Sequence, residues 1–144
     1  EELFSLVKKY AKDYRYFYHT AAVADFSVEN KYKGKLSSQQ ALTITFKPQI
    51  KILEQIKKLN PRIFLIGFKA EALSDEKKLI KAALKKLKES SADVIVANDI
   101  SRTDRGFEVD QNEVYLVLPD GTTKHFALAS KREIAKNIVD YIKH

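Results

Sequence analysis

Two uninterrupted apolar runs, "RIFLIGF" (62–68) and "DVIVAN" (93–98), constrain the fold of this chain more than any other feature. A strand that alternates apolar and polar residues buries one face, whereas a run apolar at every position buries both. The first run follows Pro61 and reads as a central parallel strand; the second reads as another buried strand. Between them Leu79, Ala83, Leu84 and Leu87 recur at helical spacing. Ser74 is placed to cap that helix, and Asp75 and Glu76 in its first turn complement the helix dipole.

The remaining segments fit around this centre. Leu3, Leu6, Val7 and Tyr10 form one face of an opening helix, and "YFYHTAAV" (16–23) reads as a buried strand running into a small-residue turn. The polar stretch 27–40 with Gly34 is a flap or loop, "ALTITF" (41–46) alternates like a strand, and 49–58 is a short helix with Ile50, Leu53 and Ile56 on one face. "EVYLVLPDGTTKHFAL" (113–128) is a hairpin turning at Asp120-Gly121. Ser130 and Glu133 make a capping box for a last helix whose apolar face carries Ile134, Ile138, Tyr141 and Ile142. This order predicts an α/β fold: a three-layer, Rossmann-like sandwich with a mostly parallel central sheet and an antiparallel hairpin extension. Ligands in such sheets bind beyond the carboxyl ends of the strands. Three such ends, Ala21–Phe26, Gly67–Glu71 and Ala97–Ser101, place small or polar residues directly after apolar runs.

Bulk properties exclude several functions. The 144 residues fit a single domain, 1–144, and the 44% hydrophobic and 31% charged residues give the balance of a soluble globular protein. No apolar run is long enough to cross a membrane. Cysteine is absent, which removes disulfides, thiolate metal sites and thiol redox chemistry and fits a cytoplasmic setting. Methionine is absent even at position 1, and the expectation is a piece of a longer protein. The net charge of +7 favours anionic partners, phosphorylated ligands among them, without choosing one.

The residues narrow the chemistry further. No Gly-x-Ser-x-Gly elbow is present, and no His/Asp/Glu spacing resembles a metal cage, so no metal ligand set is assigned. His19, next to a buried strand, reads as a hydrogen-bonded structural histidine, with a base as the other reading. Four glycines, at 34, 67, 106 and 121, cannot build a Walker loop or Gly-x-Gly-x-x-Gly. A bound nucleotide would therefore need lysines, isolated amides or additional chain for its phosphates. In "AAVADF" (21–26), Ala21 and Ala22 let a ring or sugar approach the backbone. Asp25 can accept from ligand hydroxyls or help to position Mg2+, and Phe26 can stack on a base. A tight turn with a capping Asp and a core Phe is the other reading. Lys35 beside Gly34 suits a triphosphate clamp, or is a solvated loop lysine. Asn98 and Asp99 can orient a substrate amide or hydroxyl, or cap a turn. Lys86 shares a side with Lys85 and Lys88, or is simply solvated.

In order along nearly the whole chain, "EELFSLV", "AAVADF", "GKLSSQQALTITFKPQIKIL", "IFLIGFKAE", "AALKKLKESSADVIVANDIS", "GFEVDQNEVYLVLPDG" and "SKREIAKNIVDYI" resemble the phosphopantothenate–cysteine ligase family, with a flap of archaeal pattern. The resemblance implies the C-terminal portion of the ligase domain, lacking the glycine-rich first half that would precede Glu1. It implies an enzyme of coenzyme A biosynthesis, unrelated to ATP-grasp ligases. That enzyme activates the phosphopantothenate carboxylate with CTP (ATP in some relatives) and Mg2+ to an acyl-cytidylate, which the amine of cysteine then displaces. FMN would belong only to a fused decarboxylase absent from this piece.

Carried over by resemblance, Lys35 and Asn98 are the catalytic residues. The nucleotide-binding residues are Thr20, Ala21, Ala22, Asp25, Phe26, Lys35, Ile50, Lys51, Ile52, Leu53, Phe68, Lys86 and Ser90. Three places depart from the family pattern: Leu36, Ser37 and Ser38 replace further flap lysines, Ile50-Lys51 replaces a Pro-Asp, and Ser90 replaces a second lysine after Lys86. The family forms homodimers, to which the flap and strand 41–46 contribute. The other readings are a non-catalytic dimerising or nucleotide-binding fragment and a basic nucleic-acid-binding domain. The aromatics lie mostly in expected core strands and match no known nucleic-acid module, so neither nucleic acid nor membrane is an expected partner.

Overall fold

The structure, a computed structural model, describes residues 2–29, 34, 41–73, 75–107 and 109–143. The flap lysine Lys35 and the cap residue Ser74 lie outside the described residues. One five-stranded sheet carries the fold, in the order β1 (Tyr16–His19), β4 (Phe64–Glu71), β5 (Val94–Asp99), β6 (Gln111–Val117), β7 (Thr123–Ser130). The first three strands run parallel, and β6 and β7 extend them as an antiparallel hairpin. A separate two-stranded ribbon pairs β2 (Phe26–Val28) with β3 (Phe46–Pro48).

Helices cover both faces. On one, Val7 of α1 (Glu2–Tyr10), Leu53 and Ile56 of α2 (Leu53–Leu59) and Leu79, Ala83 and Leu87 of α3 (Glu76–Ser90) pack on Leu65, Ile95, Ala97 and Val117. On the other, Ile134 and Ile138 of α4 (Lys131–Lys143) pack on Ile66, Val94, Val96, Val114 and Leu116. Each central strand therefore loses both faces to helices, which is why β4 and β5 read as continuous apolar runs. The three-layer α/β sandwich is the architecture expected from the sequence. Among the described residues no helix is long and apolar enough to cross a membrane.

Polar contacts fix the parallel register. The Asp93 carboxylate accepts from the Leu65 amide at 2.6 Å and from Lys57 Nζ at 2.7 Å, which ties β5 to β4 and to α2. Asn60 Nδ2 donates to the Ala11 carbonyl at 3.0 Å and anchors the turn after α2 to the turn after α1. Gly67 is required by contact: a Cβ there would lie 2.7 Å from Ile95 Cδ1 and 2.9 Å from Leu53 Cδ2.

Several boundaries differ from the sequence expectation. β1 ends at His19 because Gly67 is its last partner, and 20–25 continue as unpaired chain. Strand 41–46 is displaced to Phe46–Pro48. Leu42, Ile44 and Phe46 are all exposed, so no core rewards alternation there, and Pro48 is tolerated at the ribbon end. Leu3, Leu6 and Tyr10 are exposed, and only Val7 of the expected α1 face is buried. In the α2 segment Ile52 replaces Ile50 as a buried residue. The cap of α3 is Asp75, whose carboxylate accepts from the Lys77 and Lys78 amides. The hairpin turns over Leu118–Thr122, with Gly121 at φ +87°, and Ser130 Oγ accepts from the Glu133 amide at 3.2 Å as a capping box requires. Tyr141 of the expected α4 face is 39% exposed.

Candidate functional site

Beyond the carboxyl ends of β1 and β4 lies a cleft of about 680 Å³. Four segments build it. The chain leaving β1 supplies His19 and Ala21–Asp25, and the entry to α2 supplies Gln49–Leu53. The end of β4 supplies Phe68, Lys69, Ala70 and Glu71, and one side of α3 supplies Ala82, Lys85, Lys86 and Glu89. The Asp25 carbonyl accepts from the Gln49 amide at 2.7 Å, and Gln49 Nε2 donates to Ser27 Oγ at 2.6 Å. These two bonds clamp the first two segments together where the ribbon begins.

Nine of the expected nucleotide-site residues therefore line one wall system: Ala21, Ala22, Asp25, Ile50, Lys51, Ile52, Leu53, Phe68 and Lys86. The others fall elsewhere. Thr20 lines a smaller apolar cavity of about 280 Å³ on the opposite sheet face, with Tyr18, Phe68 and residues of α4, because successive residues of an extended chain point to opposite sides. Phe26 lies on the ribbon, 57% exposed and outside the cleft wall. Ser90 is 1% exposed, and its hydroxyl donates to the Lys86 carbonyl at 2.7 Å; that back-bond inside α3 uses the group expected near phosphate. Asn98 is nearly buried on β5 beside Ala70 and does not line the cleft. Lys88 also lies outside it.

Charge in the cleft is closely balanced. Lys86 Nζ lies 2.9 Å from Glu54 Oε1 and 3.8 Å from Glu89 Oε2. Lys69 lies 2.7 Å from Glu71, and Lys85 lies 3.9 Å from Glu89. His19 forms part of the floor. Its Nε2 is buried with no hydrogen-bond partner among the described residues, unlike the satisfied structural histidine expected. Burial pushes the His19 pKa below its ordinary value, a hydrogen bond to its own backbone opposes that, and the charge of Lys86 pushes it down further. The imidazole is therefore neutral near pH 7.

Sequence reasoning missed Gln49, Glu54 and Glu89, and it placed Lys69 and Glu71 in the strand end Gly67–Glu71 without giving either a role. Lys69 and Glu71 had a readable signal, since residues two apart on a strand share a face. The partnership of Glu54 with Lys86 spans 32 positions and had none. Among the described residues no group of three His, Asp or Glu is gathered for a metal ion. Asp25 and Glu71 at the wall suit Mg2+ carried in on phosphate oxygens, a binding mode that needs only one or two carboxylates.

A second polar cluster lies at the far side of β5. Arg105 pairs with Glu113 and, at 2.8 Å, with Asp104, and Glu113 also contacts His125 Nε2 at 2.6 Å. The hydrogen bond from Arg105 holds the Asp104 carboxyl at about 2. These groups satisfy one another and do not open onto the cleft.

Comparison with known proteins identifies the family of this chain. The chain is 40% identical over 123 residues to the coenzyme A biosynthesis bifunctional protein CoaBC of Thermococcus kodakarensis, covering 85% of this chain and 29% of that protein. It is 36% identical over 143 residues to the CoaBC of Methanocaldococcus jannaschii, covering 99% of this chain and 34% of that protein. The chain thus spans about a third of the length of these curated relatives. The crystal structure of the DNA/pantothenate metabolism flavoprotein from Streptococcus pneumoniae superposes with a TM-score of 0.78 at 27% identity, covering 98% of this chain and 68% of that one. With a family profile that matches residues 1–144 throughout, the chain belongs to the DNA/pantothenate metabolism flavoprotein C-terminal domain family.

Proposed function

We propose that the chain supplies the nucleotide-binding half of a phosphopantothenate–cysteine ligase that uses CTP. The observation that carries this reading is the convergence of Ala21, Ala22, Asp25, Ile50–Leu53, Phe68 and Lys86 on one cleft at the strand ends. The relatives named as coenzyme A biosynthesis proteins support it.

In this reading the small side chains of Ala21 and Ala22 admit the nucleoside, Asp25 accepts from its hydroxyls, and Phe68 walls the pocket. Lys86 and Lys51 face the phosphates, and nucleotide-bound Mg2+ shares their neutralisation. A phosphopantothenate carboxylate oxygen attacks the α-phosphorus and pyrophosphate leaves. The amine of cysteine then attacks the acyl carbon, and CMP leaves as the amide forms. Such a reaction depends on positioning and charge neutralisation rather than on a strong base, which matches a cleft rich in lysines with a neutral histidine. Lys35, in the segment expected from the sequence to be a flap, is assigned to handling the acyl intermediate. Asn98 is assigned a supporting role from β5. A cytoplasmic setting is part of this proposal, and the absence of cysteine from the chain fits it.

The test is pyrophosphate release by the full-length protein, expected only when CTP, phosphopantothenate and Mg2+ are all present. Absence of release with both CTP and ATP would sink the reading. Homodimerisation is proposed through the ribbon, because Phe26, Val28 and Phe46 are exposed there beside Leu42 and Ile44. Sedimentation of wild type and Phe46→Glu checks this; a monomeric wild type removes the proposal.

A further inference from the structure

We infer that Glu54 is an internal counter-ion for Lys86 which a phosphorylated ligand has to displace, so that this one carboxylate sets how tightly the cleft holds polyphosphate. The inference rests on the nucleotide reading above and adds a residue to which that reading gives no role.

The geometry separates Lys86 from the other cleft lysines. Its side chain is mostly buried between α2 and α3, whereas that of Lys85 is largely exposed. A partly buried pair is screened by salt less than an exposed one, so Glu54 and Lys86 bind each other more firmly than the 3.9 Å pair of Lys85 with Glu89. Among the described residues Lys51 is the one cleft lysine without a carboxylate within ion-pair distance. Although the chain carries +7, its cleft therefore offers little uncompensated positive charge to an arriving anion.

Displacement rather than support follows from two distances and the chemistry of the ammonium. A phosphate oxygen in hydrogen-bond contact with Lys86 Nζ would share that nitrogen with the Glu54 carboxylate at 2.9 Å, and two anions on one ammonium repel. Lys86 does not need Glu54 to stay in place, because Glu89 remains 3.8 Å away on the same helix. The lysine ammonium is a point charge with three donors on a flexible stem, so it can turn from the carboxylate into the cleft. Exchange of partners, with Glu54 released to water, is the arrangement that satisfies every charge.

The experiment is calorimetric titration of the full-length protein as wild type, Glu54→Gln, Lys86→Gln and the double variant. The probes are Mg2+–CTP and, as an uncharged probe of the same base and sugar, cytidine. Glu54→Gln is expected to bind CTP roughly three- to tenfold tighter, the range set by the strength of a single ion pair. Cytidine affinity should not change, and the gain should vanish when Lys86→Gln is also present. Unchanged or weaker CTP binding by Glu54→Gln overturns the inference and makes Glu54 a positioning residue or a bystander. Glu54→Ala repeats the comparison without the amide, and equal thermal midpoints confirm that the fold is intact. If no variant binds CTP, the nucleotide reading fails and takes the inference with it; if wild type binds and Glu54→Gln gains nothing, only the inference fails.

Discussion

Replacing Gly67 with alanine tests whether the cleft floor is set by close packing of β4. The added methyl would lie 2.7 Å from Ile95 Cδ1, 2.9 Å from Leu53 Cδ2 and 3.2 Å from Leu53 Cδ1. Optimal carbon–carbon contact is about 3.5–4.0 Å, so both neighbours have to move. Ile95 is fully buried inside the sheet and has nowhere to go. Leu53 begins α2 and borders the cleft, so it has an outlet. Overpacking of this kind costs about 1–3 kcal/mol, and the lower unfolded-state entropy of alanine returns about 0.4–1 kcal/mol. The expected net loss is about 1–2 kcal/mol. With a urea slope of about 2 kcal/mol/M, the unfolding midpoint should fall by about 0.5–1 M at constant slope. Ile95→Val removes the Cδ1 that meets the new methyl and costs about 0.5–1.5 kcal/mol alone. The double variant should therefore be more stable than the sum of the single losses by about 1 kcal/mol. An unchanged midpoint in Gly67→Ala, or additive losses in the double variant, would refute the close-packing account. CTP affinity should fall in Gly67→Ala, since Leu53 yields toward the ligand.

Three further outcomes are expected. Asp75→Ala should cost about 1 kcal/mol in a thermal or urea melt through loss of the cap on α3, with Asp75→Asn close to wild type. His19 has a folded pKa below its ordinary value of 6.5, so the unfolded chain binds the extra proton. Its contribution to stability is complete above about pH 6.5 and is lost as pH falls through the lower folded pKa, and His19→Gln should flatten that slope. Equal pH–stability slopes in the two proteins would remove His19 as the cause. On the proposed function, Lys35→Gln in the full-length protein should slow turnover by about 10²-fold or more, read from pyrophosphate release and amide formation; normal turnover would take Lys35 out of the mechanism.

Much of the fold was legible because its signals are local. The apolar runs of β4 and β5, the helical spacing of α3 and the Asp120-Gly121 turn each lie within a few residues of one another. Where the reading slipped, the reward for a pattern lay elsewhere in space. "ALTITF" alternates as a strand should, yet Leu42, Ile44 and Phe46 meet no core, and the pairing begins only at Phe46 and runs to Pro48. Ser74 and Asp75 are both good caps, and only the hydrogen bonds to Lys77 and Lys78 choose between them. At the site, the small residues after β1 and the aromatic on β4 were readable as strand-end positions. Ser90 was not: its burial and its back-bond to Lys86 depend on how α3 faces the sheet.

By itself the sequence determined that this chain makes an α/β sandwich, and it pointed to the carboxyl ends of the strands, where the structure opens a cleft. Periodicity and capping act over a few residues and so are written directly in the order of the side chains. Tertiary structure alone decided which of those residues share a cleft and in what electrostatic state. Glu54 and Lys86 meet only because α2 and α3 pack side by side on the sheet. His19 has its Nε2 buried and its pKa pushed down only where the floor closes beneath it. Charge and desolvation depend on distance through space, and packing sets that distance independently of separation along the chain.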